Sequence, residues 1–129
     1  GYYTQNLNAP ILGINMTLYF IACPYSDPDS NIVEMRFQES TKVAAELALK
    51  GIATYSQITM THPINQYLAA EGKKVAWSSI DMEFLKRCDG LIVLTVPGWE
   101  KSGGVAAEIQ FFKDKNLPVW TYDEFLLEI

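Results

Sequence analysis

Short apolar runs alternate along the chain with longer segments of helical periodicity. Residues 16–22 and 91–96 are almost continuously apolar and β-branched, which is typical of strands covered on both faces. The remaining predicted elements are strands at 52–55 and 117–120, helices at 31–50, 77–88, 102–115 and 122–128, a long polar loop at 56–65, and a short helix within 65–72.

Strands that alternate with helices predict βαβ units and therefore a parallel sheet. We expect an α/β domain of three layers, with a parallel sheet of four or five strands in the order 2-1-3-4(-5). Residues 1–15 show neither helical nor strand periodicity and are predicted to form an irregular arm. Residues 16–129 are predicted to form one domain, because a chain of 129 residues is the usual size of a single core.

Open parallel sheets bind ligands at the carboxyl ends of their strands, near the point where the strand order reverses. The predicted loops at those ends are residues 23–30, 56–65 and 97–104. Their polar and aromatic side chains are expected on one rim, namely Tyr25, Ser26, Ser30, His62, Trp99 and Ser102.

Two carboxylates interrupt apolar stripes of predicted helices. Asp81 falls on the stripe of the helix 77–88, and Glu108 falls between Val105 and Phe112 on the stripe of the next helix. A buried carboxylate is costly unless it is satisfied or used. Together they indicate a carboxylate pair, which is the usual equipment for cleaving a glycosidic bond.

Each of these residues also has a plain structural interpretation. Asp81 could lie at the edge of its stripe and reach solvent, and Glu108 could be a carboxylate favoured by the helix dipole. Similarly, the segment 102–104 could be only a helix cap, His62 only a loop residue in extended conformation before Pro63, and Trp99 only a packing anchor. The pattern alone leaves both interpretations open.

Composition excludes several functional classes. Ten Lys and Arg against 15 Asp and Glu give a net charge of −5, which disfavours sequence-independent nucleic-acid binding. No apolar run reaches the length of a membrane span, and no secretory signal is visible, so we expect a cytoplasmic protein without a membrane partner. Cys23 and Cys88, with the single His62, show no metal-ligand spacing, and we expect no metal site.

Three segments resemble the nucleoside 2-deoxyribosyltransferase superfamily, especially a phage and bacterial branch related to deoxynucleoside monophosphate N-glycosidases. They are residues 19–25 (YFIACPY), residues 77–81 with Cys88-Asp89, and residues 97–108, which contain Pro-Gly-Trp and Ser-Gly-Gly-Val-Ala-Ala-Glu. The resemblance covers about residues 17–121. It implies a flavodoxin-like, Rossmann-like fold and a homodimer or larger homo-oligomer, with no cofactor.

The resemblance also implies roles for individual residues. Glu108 matches the nucleophile, Asp81 matches the acid/base beside the leaving base, and Tyr25 matches a tyrosine that holds the nucleophile. The remaining candidate substrate contacts are Ser26, His62, Trp77, Trp99, Ser102, Gly103 and Gly104. The implied activity is cleavage or base exchange at the N-glycosidic bond of a 2′-deoxynucleoside or its 5′-monophosphate.

Two departures from the family pattern keep alternatives open. Ile109-Gln110 stand where family members commonly have Leu-Gly after the nucleophile, and the loop 23–30 lacks the Gly- and Arg-rich sequence that grips a 5′-phosphate. The base, the need for a phosphate and the acceptor, water or a second base, therefore stay open. A catalytically silent nucleotide-binding or assembly module on the same fold is the alternative function.

Overall fold

The structure, a computed structural model, describes residues 17–129, so the predicted arm over 1–15 lies outside the described residues. In chain order the elements are β1 (Leu18–Ala22), α1 (Ser30–Leu49), β2 (Ala53–Ser56), α2 (Gln57–Ala69), α3 (Ser78–Leu85), β3 (Gly90–Val93), a 3-10 turn (Trp99–Lys101), α4 (Gly103–Asp114), β4 (Val119–Thr121) and α5 (Tyr122–Glu128).

The four strands form one parallel sheet in the order β2-β1-β3-β4. This confirms the predicted α/β class and the predicted strand order with four strands. The order is that of the flavodoxin-like sheet, in which the chain direction across the sheet reverses between β1 and β3. The loops after these two strands therefore diverge and leave a crevice at the carboxyl edge.

Alternating side chains of the central strands supply two apolar cores, one on each face of the sheet. Phe20 and Leu91 face a cluster completed by Val105 and Phe112 of α4 and by the end of α3. On the other face, Ile21 and its neighbours pack against α1 and α5. The helices are thus divided between two layers, and α4 is fixed so that its first turns reach the crevice.

The predicted polar loop over 56–65 is wrong, because these residues open the 13-residue helix α2. A proline inside a helix costs ~3 kcal/mol through a lost hydrogen bond and a clash, and Pro63 lies inside α2. Hydroxyl contacts offset this cost, since Thr59 bonds to Ser56 (2.6 Å) and to Thr41 of α1 (2.8 Å). His62 is consequently helical and buried rather than extended in a loop.

Element ends differ from prediction by a few residues elsewhere. The strand expected at 91–96 pairs only as far as Val93, although Leu94 and Val96 remain buried beyond it. The helix expected at 77–88 ends at Leu85. No helix within residues 17–129 is both long and apolar enough to cross a membrane.

Candidate active site

A cleft of about 670 Å³ opens at the carboxyl edge of the sheet, between the loops that follow β1 and β3. It contains seven of the predicted site residues, which are Tyr25, Ser26, Trp77, Ser102, Gly103, Gly104 and Glu108. Four predicted residues do not line it, namely Asp81, His62, Trp99 and Ser30, the last of which begins α1 instead. Asp81 and His62 nevertheless form hydrogen bonds with residues that line it, namely Gln57 and Tyr25.

Glu108 lies in the second turn of α4, half-buried in the cleft wall. Burial, and after it the negative charge of Asp81, raise the pKa of this carboxyl to about 8. A raised pKa favours the protonated form, so the Glu108 carboxyl keeps its proton to a higher pH than an exposed glutamate does.

Asp81 lies one hydrogen bond behind the cleft wall. Its Oδ2 accepts a hydrogen bond from Nε2 of Gln57, a cleft residue, while its Oδ1 is buried without a partner. Burial raises the pKa of Asp81, and the bond from Gln57 opposes that rise. The expected apolar stripe around Asp81 is only partly buried, because Ile80 is 39% and Phe84 36% exposed.

Tyr25 is tied to the side of the cleft formed by α2. Its hydroxyl lies 2.7 Å from Nδ1 of His62 and accepts a hydrogen bond from Nδ2 of Asn65 at 3.3 Å. Asn65 in turn accepts from Nε1 of Trp77 at 2.8 Å. The hydrogen bonds of the Tyr25 hydroxyl thus run to α2, whereas the family resemblance implied a bond to Glu108.

The Ser-Gly-Gly segment forms the start of α4 as predicted. Ser102 caps the helix, with its Oγ accepting from the N–H of Val105 at 3.2 Å. The N–H groups of Gly103 and Gly104 occupy the first helical positions, which have no intrahelical acceptor. A β-carbon at Gly103 would meet nothing within 4 Å, so this end of the cleft is open to a ligand.

Trp99 packs against the core, and Ser26 lies exposed at the rim of the cleft. Trp99 opens the 3-10 turn and packs, half-buried, against the core beneath α4, which is the packing interpretation of that residue. Ser26 is exposed at the rim, and its carbonyl oxygen accepts a hydrogen bond from Arg36.

Arg36 joins the two loops that form the cleft. Only 6% exposed, it donates from Nη1 to the carbonyl oxygens of Tyr25 (3.3 Å) and Ser26 (3.1 Å) and from Nη2 to that of Pro97 (3.3 Å). Gly98 follows with φ +89°, and a β-carbon there would lie 3.0 Å from Nη2. A glycine is therefore required both by the backbone conformation and by the close approach of the guanidinium.

Sequence reasoning missed Arg36, Gln57 and Asn65. A usable signal existed for Arg36, because the buried residues of α1 recur at helical spacing and Arg36 begins that row (Arg36, Ser40, Val43, Leu47). It is thus a polar residue on a buried stripe, the same signal that singled out Asp81 and Glu108. Gln57 and Asn65 lie in the segment predicted as a loop, where no stripe could be read.

Burial disfavours the thiolate form of both cysteines. Cys23 lines the cleft, but burial raises the pKa of its thiol, which keeps it protonated. Cys88 is buried in the core, and burial raises its pKa to about 12. Within residues 17–129, no group of three or more His, Cys, Asp and Glu side chains is placed to hold a metal ion.

The elevated pKa of Glu108 predicts a pH dependence of stability. Between about pH 4.5 and pH 8 the folded state keeps a proton that the unfolded chain has released, so the free energy of unfolding falls as pH rises through that window. Glu108→Gln lacks this titration. In urea unfolding at several pH values, we expect the free energy of unfolding of the variant to rise relative to that of the natural chain. The difference should grow by a few kcal/mol as the pH rises from about 4.5 to about 8. Parallel stability profiles would contradict the assignment.

Residues 17–124 match the family model described as Domain of unknown function (DUF1937), and the chain belongs to this family. The match spans every element from β1 to the first turn of α5, and so includes all the residues that line the cleft. Among curated proteins, none matches the chain.

Proposed function

We propose that this protein cleaves, or exchanges the base at, the N-glycosidic bond of a 2′-deoxynucleoside or its 5′-monophosphate, as a member of the nucleoside 2-deoxyribosyltransferase superfamily. The observation that carries the proposal is the coupled pair of carboxyl groups, Glu108 in the cleft and Asp81 behind it. One acid and one carboxylate across a scissile bond are what glycosidic cleavage requires.

Glu108 is the proposed nucleophile. Its carboxylate attacks the anomeric carbon, a C–O bond forms, and the C–N bond to the base breaks with its electron pair leaving on the base nitrogen. Water or a second base then displaces Glu108 from the same carbon, so the configuration is retained. The attack needs Glu108 ionised, so in the proposed sequence the Glu108 proton passes to Asp81, which then has a proton to give to the leaving base.

Asp81 and Gln57 are proposed to serve the leaving base. Asp81 supplies the proton, or the negative charge that stabilises the protonated base, at the end of the cleft that Gln57 occupies. One N–H of the Gln57 amide is held by Asp81, which leaves a second N–H and a carbonyl oxygen for a ligand. A donor beside an acceptor matches the edge of a nucleobase, and Trp77 adds an aromatic surface to the same cleft.

The start of α4, which also lines the cleft, suits the sugar or a phosphate. Gly103 and Gly104 present unbonded helix N–H groups there, and Lys101 lies on the rim. These groups are compatible with a 5′-hydroxyl as well as a 5′-phosphate, so both substrate forms belong to the proposal. No metal or organic cofactor takes part in the proposed steps.

The test of this function is the release of free base. The chain is incubated with a panel of 2′-deoxynucleosides and their 5′-monophosphates, each with and without a second free base, and the products are separated chromatographically. We expect base release from at least one substrate, and base exchange when a second base is present if the acceptor is a base. Tight binding of a panel member without any release would instead favour the silent binding module.

We also expect a homodimer or larger assembly in which a partner completes the pocket wall. Exposed apolar side chains lie on α3 and α2, among them Ile80, Met82 and Tyr67 (39%, 41% and 71% exposed). Light scattering at micromolar concentration should give at least twice the 14.5 kDa chain mass, and Met82→Glu should lower it. A natural chain that is monomeric under these conditions would contradict the expectation.

A further inference from the structure

A line of hydrogen bonds crosses one side of the cleft and leaves it at an exposed carboxylate. Trp77, Asn65 and Tyr25 line the cleft and are bonded in that order. Behind them, the Tyr25 hydroxyl contacts Nδ1 of His62 at 2.7 Å, and Nε2 of His62 lies 3.2 Å from Oε1 of Glu34. His62 is only 6% exposed, so its two ring nitrogens must find their partners here.

The donor and the acceptor are fixed for the hydrogen bonds at both ends of this line. The indole N–H of Trp77 is only a donor, so the Asn65 oxygen accepts from it and the Asn65 amide nitrogen is turned to donate to Tyr25. At the other end, hydrogen bonds from Gln38 and His62 lower the pKa of Glu34, which is therefore an ionised acceptor. Neutral His62 must then carry its proton on Nε2 and accept at Nδ1.

The directions at the two ends fix the direction of the hydrogen bonds at Tyr25 between them. Nδ1 of neutral His62 accepts, so the Tyr25 hydroxyl donates its single proton away from the cleft, and the amide of Asn65 uses one of the two oxygen lone pairs. The Tyr25 oxygen is left with one lone pair and no proton for the cleft. A ligand group that meets it must therefore be a donor.

We propose that His62 is a positioning residue that makes the Tyr25 oxygen a hydrogen-bond acceptor in the cleft, so that the site selects ligands presenting a donor there, such as a sugar hydroxyl. The choice of a hydroxylated sugar rests on the proposed function. The direction of the hydrogen bonds rests on the geometry alone.

Protonation of His62 reverses the arrangement. The imidazolium donates from both nitrogens, so Nδ1–H points at the Tyr25 oxygen and the phenolic proton turns toward the cleft. The titratable side chains in contact with His62 are Glu34 from α1 and Tyr25 from the loop after β1, and Phe37 of α1 packs its ring at 4.6 Å. Arg36 of α1 is turned to loop carbonyl oxygens instead.

The tautomer is directly measurable, because His62 is the only histidine of the chain. In the tag-free protein labelled with ¹⁵N-histidine, one imidazole appears in long-range ¹⁵N–¹H spectra. We expect the neutral form with Nε2 protonated, and a shift of the Nδ1 resonance in Tyr25→Phe but not in Tyr67→Phe, which removes an exposed hydroxyl. Glu34→Ala, at an exposed position, should weaken the tautomer preference. A neutral form with the proton on Nδ1 would overturn the proposal.

The selection of donors is tested by KM against pH, with the nucleoside that releases base fastest in the panel. Tyr25→Phe should raise KM roughly tenfold at pH values where NMR shows a neutral imidazole, as expected for one lost hydrogen bond. His62→Phe should raise KM several-fold at those pH values and match the natural chain where NMR shows the imidazolium. A ratio of KM values that does not change with pH would overturn the positioning role.

The two measurements separate the two claims. If no nucleoside releases base, the proposed function fails, while the tautomer still decides which way the Tyr25 hydroxyl points. If base is released but Nδ1 carries the proton, the function stands and the role of His62 fails. Should His62→Phe not fold, Glu34→Ala replaces it, with a smaller KM effect in the same direction and at the same pH.

Discussion

Replacing Glu108 with glutamine is expected to remove almost all base release, by about a thousandfold or more, as loss of a nucleophile does. The amide keeps the shape of the side chain but cannot form the glycosyl ester. The fold should be intact, because the substitution removes a half-buried group whose pKa burial and Asp81 have already raised. The measurement is kcat/KM for base release, with thermal unfolding to verify the fold.

Matched variants distinguish a nucleophile from a general loss of negative charge. Glu100→Gln makes the same chemical change at an exposed position shortly before α4 and should leave kcat/KM unchanged. Asp81→Ala should impair turnover less for substrates whose base leaves easily, since protonation of the leaving group matters less there. Glu108→Gln with natural turnover would remove Glu108 from its proposed role.

Replacing Arg36 with methionine is expected to lower the free energy of unfolding by about 3 kcal/mol, because a buried side chain and its bonds to three part-buried carbonyl oxygens are lost. The three acceptors belong to the two loops that bound the cleft, so the loss also loosens the site. Arg36→Lys keeps the charge but not the forked geometry and should recover only part of the stability. Urea unfolding provides the measurement.

Arg87→Met is the control for the removal of an arginine as such. Arg87 is largely exposed and bonds only to Glu83 within its own turn, so its loss should cost well under 1 kcal/mol. Equal losses for the two variants would show that the bonds from Arg36 to the loops contribute nothing beyond those of an ordinary surface arginine.

The fold was predictable because its determinants are local in sequence. Apolar, β-branched runs at 16–22 and 91–96 are typical of covered strands, and their alternation with helices predicts a parallel sheet. Glu108 and Asp81 were found because each breaks a stripe that the helix period defines. In the structure the charge of Asp81 does act on Glu108, although only Glu108 lines the cleft.

The parts that were missed depend on contacts between distant segments. Pro63 favoured a loop in the sequence, whereas the helix there is held by contacts such as the hydroxyl bond between Thr59 and Thr41, which lie 18 residues apart. The position of Asp81 behind Gln57 could not be predicted for the same reason. With residues 56–65 predicted as a loop, the site residues of α2 could not be placed on a helix face. The bond from Arg36 to Pro97 spans 61 residues, so the partner of Arg36 could not be predicted from local periodicity, although its place on a buried row could.

The central claim, that Glu108 forms a covalent bond to the sugar, is tested most directly by trapping the intermediate. A 2-fluorinated arabinosyl nucleoside slows both chemical steps, because fluorine destabilises the oxocarbenium-like transition state. We expect the chain to gain the mass of one fluorinated sugar, with peptide mapping that places it on Glu108, and no gain in Glu108→Gln. An adduct on another residue, or base release without any adduct under conditions that slow the second step, would contradict the account.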